Sequence, residues 1–547
     1  MLLAACGASA TNTPAASNTT AATGATTAPA ATTAPAIPTN VSAPTVVAST
    51  PTPAAASGTV DRVVLVQGVD PTTLDPQDHA ETPAFTILNN IYEPLVARTP
   101  DLQFQPRLAE SWKQVDDLNW EFKLRANVKW HDGSAFTADD VKFTIDRYLD
   151  LKRTPKPLTR ASGGNLAAVE SATVKDPLTV NIKLKNPFPV LINQLTAEHI
   201  VSKKFVTEKG EDALKTTAMG TGPYKFVSFQ KAQNYDLEIN KDYWGPKPAV
   251  QAVRFRIIPD ANTRIAALQA GEVDVITNLA PELAETIASD KVGVATAPSV
   301  RVAFLVPNSL QEGSPLANVK VRQALNHAID RDAIIKNIFK GNAVKTTTLL
   351  TDKHYGFNPD IQQYAYDPAK AKQLLAEAGY PNGIEITFNY PNGRYLKDKE
   401  FNEIIASQWD AVGIKTKTAS PEWTQYIGLV NARTQAQVYM IAWGNSTWDA
   451  DGTYRNLLRY NADGTPGTYT YWKNDTFLKN INEAFASSDQ KKREELYKEA
   501  GKIMNTEASH VFLWQFKDIY GYNKGKITFN ARPDEVLNAF EILPAKK

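Results

Sequence analysis

The stretch that decides the fold reads Gly-Thr-Gly-Pro-Tyr-Lys-Phe-Val (220–227), Lys-Asp-Tyr-Trp-Gly (241–245), Val-Arg-Phe-Arg-Ile-Ile-Pro-Asp (253–260) and Asn-Thr-Arg-Ile-Ala-Ala-Leu-Gln-Ala-Gly-Glu-Val-Asp-Val-Ile (262–276). Its last part predicts a short helix capped by Asn262 or Thr263, stopped at Gly271 and followed by a strand. Pro223 marks entry into the strand Tyr-Lys-Phe-Val, and the two glycines before it permit a turn that bulkier residues would strain. From physics alone this is a strand–turn–strand–helix–strand unit.

The same alternation continues outward in both directions. Val60 to Gln67 reads as a β-branched strand, and Thr73-Leu74-Asp75-Pro76 leads to Asn-Asn-Ile-Tyr-Glu-Pro-Leu-Val within 87–96, which resembles the first helix of the family 5 extracytoplasmic solute-binding proteins. Trp120, Phe122 and Leu124 alternate with polar residues, as in a half-buried strand. The run Val-Lys-Trp-His-Asp-Gly-Ser-Ala-Phe-Thr-Ala-Asp-Asp-Val-Lys-Phe-Thr (128–144) turns at Asp132-Gly133. It then starts a helix whose capping box is Thr137 with Asp140. Further on, Asn318 caps a helix carrying Val321, Leu325 and Ile329. Asp367 and Pro368 form an N-cap and first-turn pair for a helix that stops at Gly379. Gly383 to Tyr390 alternates as a strand, Trp409 to Ile414 is a helix end feeding another, and a helix face of Leu496, Ala500, Ile503 and Met504 precedes the strand Val511–Phe516. Interleaved strands and helices imply α/β lobes. These motifs, in this order from about residue 60 to 540, resemble the family 5 extracytoplasmic solute-binding proteins, the peptide- and nickel-type receptors of ABC importers.

Composition sets limits that agree with such a protein. The 547 residues are enough for two or three domains. A net charge of +1 gives no electrostatic footprint for nucleic acid or an anionic membrane. The single cysteine, Cys6, removes disulfide frameworks, cysteine–zinc sites and thiol enzymes from the folded part. Leu3-Ala4-Ala5-Cys6-Gly7 fits the lipobox of bacterial lipoproteins, with Cys6 as the lipidated residue. The basic and apolar stretches that normally precede a lipobox are missing, which predicts a precursor start upstream of Met1. From Gly7 to Val60 there is no charged side chain, and Ala, Thr, Pro and Ser dominate. Such a stretch predicts a disordered tether with a span of roughly 40 Å.

Most catalytic and metal chemistries find no support in the motifs. Six histidines (79, 131, 199, 327, 354, 510) have no metal-ligand spacing. There is no Gly-x-Ser-x-Gly elbow, and Gly220-Thr221-Gly222 lacks the rest of a phosphate loop. Asp449-Ala450-Asp451-Gly452 is an incomplete calcium loop, with Tyr460 where the last carboxylate would stand. No metal or cofactor is expected. The informative region is Val438 to Trp472, where Trp443, Trp448, Tyr454 and Tyr469 interleave with Asn445, Ser446, Asp449 and Asp451. Aromatic faces with hydrogen-bonding groups between them suit an organic ligand, although an aromatic-rich core beside a solvated loop has the same composition.

The family resemblance implies a two-lobed periplasmic-binding-protein type II fold with an extra inserted domain in the first lobe. The expected division is a tether over 1–58, a discontinuous first lobe (59–92, 215–310 and 521–547), an inserted domain over 93–214, and a further lobe over 311–520. Met440-Ile441-Ala442-Trp443 matches the strand that enters the ligand cleft in this family. The peptide receptors place, a few residues after that Trp, an Asp that pairs with the peptide's α-amino group. Here Ser446 stands there, so either Asp449 supplies the charge or the ligand has no free ammonium at that point. Expected ligand-binding residues are therefore Trp443, Asn445, Ser446, Asp449 and Asp451. The implied function is capture of a small organic ligand, an oligopeptide or dipeptide first. Delivery is to the permease of an ABC importer, by a monomer held to the membrane through a lipid. Carbohydrate, opine or nickel-chelate receptors of the same family are the alternatives, and a secreted carboxylate-dependent hydrolase is a distant one.

Overall fold

A computed structural model describes residues 58–99, 103–152, 158, 166–284, 286–445, 447–461, 463–487 and 489–546. Cys6, the tether over 1–57 and Ser446 lie outside the described residues.

One eleven-stranded sheet runs through the molecule. At one end lie the strands Ile414–Ala419, Ile384–Asn389 and Val438–Gly444; at the other lie Val63–Gln67, Ala252–Ile257, Asn234–Ile239 and Tyr224–Gln230. These two ends belong to the two lobes. Two long antiparallel strands join them. Val292–Pro307 pairs through Val302–Pro307 with Val438–Trp443, and along nearly its whole length with Val511–Asn523. The register between the two long strands slips between Pro298 and Val302, midway along. That slip removes regular ladder bonds at the point where the chain passes from one lobe to the other. The C-terminal strand expected over Val511–Phe516 therefore continues to Asn523, where it pairs with Val275–Ile276 of the first lobe.

A separate four-stranded antiparallel sheet (Ala109–Asp116, Asn119–Leu124, Thr179–Leu184 and Val169–Asp176) packs on the helix Ala138–Leu149. Its core is built on Phe122, Trp130, Val141, Tyr148 and Ile182, all buried. The capping box of that helix is present: Thr137 N donates to Asp140 Oδ2 at 3.0 Å. Two further cores serve the lobes, one around Leu65, Tyr92, Tyr224 and Phe255, the other around Phe304, Trp409, Tyr426 and Trp514.

The decisive stretch folds into the expected elements with local corrections. Asp260, not Asn262 or Thr263, caps the helix Ala261–Gln269, accepting from Thr263 N at 2.7 Å. Gly220 and Gly222 are required by close approach rather than by turn conformation, since a β-carbon at either would overlap the Ile91 carbonyl oxygen. Gly222 N donates to that same oxygen at 2.8 Å. The first helix is Thr82–Leu88, ahead of the predicted span, and Pro94 forms an isolated bridge with His199 beyond it.

Candidate functional site

Between the lobes lies a cleft of about 350 Å³. The first lobe contributes Thr72, Thr73, Asp78 and Glu81, from the segment leading into the helix Thr82–Leu88. The second lobe contributes aromatic and cationic walls: Arg394, Tyr395, Trp423, Trp443 and Tyr469. Arg301, on the long strand Val292–Pro307, lies at the cleft between them.

Trp443 stands where the sequence placed it. It is the penultimate residue of Val438–Gly444 and pairs in register with Val302. Its indole Nε1 donates to Gly452 O at 3.1 Å, and its ring meets that of Tyr469 edge-on with centroids 5.6 Å apart. The polar edge is thereby satisfied within the protein, leaving the ring for the cleft.

Of the other expected contacts, Asn445, Asp449 and Asp451 are not among the cleft-lining residues. Asn445 Nδ2 donates to Asp449 O and to Thr453 Oγ1, both at 2.8 Å. Asp449 is buried and accepts two bonds from Arg493 Nη2, at 3.1 and 3.0 Å. Burial lowers the Arg493 pKa, but the Asp449 carboxylate more than offsets this, so the guanidinium is held above its ordinary value. Asp451 accepts from Tyr497 OH at 3.3 Å and lies 3.9 Å from Arg455 Nε. Of the two alternatives for Ser446, Asp449 supplying the charge or a ligand without an ammonium at that point, the first places the ligand's ammonium on a carboxylate that already pairs with Arg493. Asn445, Asp449 and Asp451 brace the loop behind Trp443, and Asp449 already has its cation.

The same wall carries a cation that no sequence pattern singles out. Arg394 is buried, with its guanidinium 4.8 Å from the Tyr395 ring centroid and 5.6 Å from that of Trp423. Its Nη2 donates to Glu535 Oε2 at 3.3 Å, while its buried Nε has no partner among the described residues. The turn carrying it is held by Asp398, which accepts from the backbone N–H groups of Gly393, Arg394 and Tyr395 at 3.0, 2.8 and 2.9 Å. Gly393 takes φ +81°, a left-handed value that glycine adopts without strain.

Arg301, by contrast, is saturated. It donates to Glu535 Oε1 and Oε2 at 2.6 and 3.0 Å, to Ala442 O at 2.8 Å and to Thr82 Oγ1 at 2.7 Å. Burial raises the Glu535 pKa, but Arg301 and Arg394 together bring it below the usual carboxylate value. Neighbouring Asp518 goes the other way: burial and the Glu535 charge push its carboxyl well up.

Chemically the cleft offers flat apolar walls, the guanidinium of Arg394 with spare donors, and two acids, Asp78 and Glu81. Among the described residues no three His, Cys, Asp or Glu side chains gather as a metal site. No described helix is long and apolar enough to cross a membrane.

Residues 103–465 match the family model for bacterial extracellular solute-binding proteins, family 5. The chain is 32% identical over 456 residues to the dipeptide-binding protein of Escherichia coli K12, covering 76% of this chain and 83% of that protein. It is 29% identical over 487 residues to the glutathione-binding protein GsiB of Pectobacterium atrosepticum, covering 87% and 92%. Among solved structures it resembles the ABC transporter-associated periplasmic binding protein DppA of Helicobacter pylori, in complex with the peptide STSA. There the TM-score is 0.84 at 28% identity, covering 89% of this chain and 99% of that one.

The chain belongs to the family 5 extracellular solute-binding proteins. It is a two-lobed extracytoplasmic receptor of ABC import, and its work is binding rather than catalysis.

Proposed function

We propose that this receptor captures a small peptide, a dipeptide or short oligopeptide, in the cleft between Trp443 and Arg394. The observation that carries this reading is the state of Arg394: a guanidinium on the cleft wall whose hydrogen bonding among the described residues is a single 3.3 Å contact from Nη2 to Glu535, leaving donors unused. A carboxylate is the ligand group that matches the planar donor set of arginine best. Trp423, Trp443, Tyr395 and Tyr469 supply apolar faces for side chains, and about 350 Å³ suits a ligand of a few residues. The dipeptide, glutathione and STSA bound by its relatives are all peptides carrying carboxylates.

Capture works through lobe closure, because only the closed form brings both walls to the ligand. The proposed moving bodies are the discontinuous first lobe (59–92, 215–310, 521–547) with its inserted domain (93–214), and the lobe over 311–520. Cys6 is the proposed lipid anchor and 7–57 the tether of a monomeric receptor. A Cys6→Ala precursor, expressed from an upstream start, should leave the membrane fraction; equal retention would count against the anchor. Native mass spectrometry of the purified protein tests the ligand class. A released peptide supports the reading, whereas a released neutral sugar or metal chelate overturns it.

A further inference from the structure

We propose that Glu81, on the first lobe, is the group that takes the ammonium of the bound ligand. The inference rests on the peptide reading of the cleft and adds to it a specific site for the free amino terminus.

Two carboxylates at or behind the cleft already have cations. Asp449 is matched by Arg493, and Glu535 is shared between Arg301 and Arg394. Glu81 is different. Its Oε1 accepts from Thr72 N at 2.6 Å and Thr72 Oγ1 at 2.8 Å, and its Oε2 accepts from Trp423 Nε1 at 2.8 Å. All three donors are neutral. Among the described residues no lysine, arginine or histidine stands within ion-pair distance of it, yet it lines the cleft. A carboxylate has about four lone-pair sites, so a further donor can be accepted.

Glu81 is half-buried, so its carboxylate is partly desolvated without a cation, a cost that falls when a cation arrives with the ligand. Burial pushes the Glu81 carboxyl up from its ordinary value, and the nearby charge of Arg394 opposes that shift. Arg394 on the facing lobe has the complementary deficit, a guanidinium whose hydrogen bonding among the described residues is one 3.3 Å contact to Glu535. Asp78, the other acid on the cleft wall, has interactions of its own. One anion without a cation and one cation with spare donors, facing a common space from two lobes, complement a zwitterion. A peptide with both termini free would satisfy both and hold the lobes together. This assigns the ammonium to the lobe opposite Trp443 and leaves Asp449 to its pairing with Arg493.

The test uses the full chain, stripped of bound ligand, and calorimetric titration with Ala-Phe and N-acetyl-Ala-Phe. Wild type should prefer the free amine by about thirtyfold or more, the loss expected when one partner of a buried charge pair is removed. Glu81→Gln should bring that preference to within about threefold; because the amide has one acceptor where the carboxylate uses two, the affinity for the acetylated peptide falls as well, by about tenfold. Glu81→Asp, which retains the charge, should keep the preference in the same direction. A purely structural role would lower both affinities by the same factor. Equal binding of the two peptides by wild type overturns the proposal even if the Gln variant proves unstable, and so does a preference that survives Glu81→Gln. If wild type binds neither peptide, the peptide reading fails first and the proposal fails with it.

Discussion

Trp423 Nε1 donates to Glu81 Oε2 at 2.8 Å, a hydrogen bond across the cleft between residues 342 positions apart. Trp423 opens the helix Trp423–Asn431 of the second lobe, and Glu81 is the cap residue of Thr82–Leu88 in the first. The bond therefore exists only while the lobes are together. Hydrogen bonds to a charged acceptor contribute about 1.5–3 kcal/mol.

Trp423→Phe keeps an aromatic wall and removes this bond. Ligand dissociation should accelerate by about tenfold or more, with association nearly unchanged, because the lost contact belongs to the closed state. Stopped-flow fluorescence measures both rates. An unaltered dissociation rate would show that the bond does not hold the cleft shut.

Asp398 acts on the ligand through Arg394. Its two oxygens take the N–H groups of Gly393, Arg394 and Tyr395, which fixes the turn that presents the guanidinium. Asn at this position puts an amide N–H against a backbone donor and leaves at least one buried donor unmet. Asp398→Asn should cost about 1–3 kcal/mol in urea unfolding and weaken binding of a carboxylate ligand. A C-amidated peptide should lose much less affinity, which separates misplacement of Arg394 from general damage.

His354 makes stability sensitive to acid. Its Nδ1 accepts from Thr351 N at 3.2 Å, so the proton sits on Nε2, which donates to Asn445 O at 3.1 Å. Burial pushes this imidazole down to about 4 from an ordinary 6.5. The folded value lies below the unfolded one, so the unfolded chain takes up the proton first as the pH falls. The contribution is present above about pH 6.5 and is lost on descent toward pH 4, to the extent of about 3 kcal/mol. Urea unfolding at pH 7 and pH 4.5 should show a smaller drop for His354→Gln than for wild type. Equal drops would remove His354 from the account.

Much of this arrangement was legible in the sequence where the deciding physics is local. The Thr137–Asp140 capping box, the Asp367 cap and the apolar periodicities of helix and strand need only neighbouring residues. Trp443 was found because its strand carries a recognisable motif. Arg394 and Glu81 were not, because an Asn-Gly-Arg-Tyr turn and a glutamate before Thr-Pro look like ordinary surface segments. What distinguishes them is the absence of a full set of partners, which depends on residues brought from the opposite lobe. Asp449 misled for the same reason in reverse. Its cation is Arg493, 44 residues on in a helix whose sequence reads as solvated charge. The continuation of the C-terminal strand to Asn523 likewise depends on pairing with Val275–Ile276, which no local pattern signals.

The proposed ligand position is between Trp443 and Arg394, with Asp449 behind the wall. Calorimetric titration of stripped wild type, Trp443→Ala and Asp449→Asn with one dipeptide tests it most directly. Wild type should bind one equivalent, and Trp443→Ala should bind at least about fivefold more weakly, since a lost aromatic contact is worth on the order of 1 kcal/mol. Asp449→Asn should unfold more easily by about 3–5 kcal/mol because it leaves Arg493 buried without its partner, yet the folded protein should bind within about threefold of wild type. Unchanged affinity in Trp443→Ala together with selective loss of binding in Asp449→Asn would contradict the claim and move the site behind the wall.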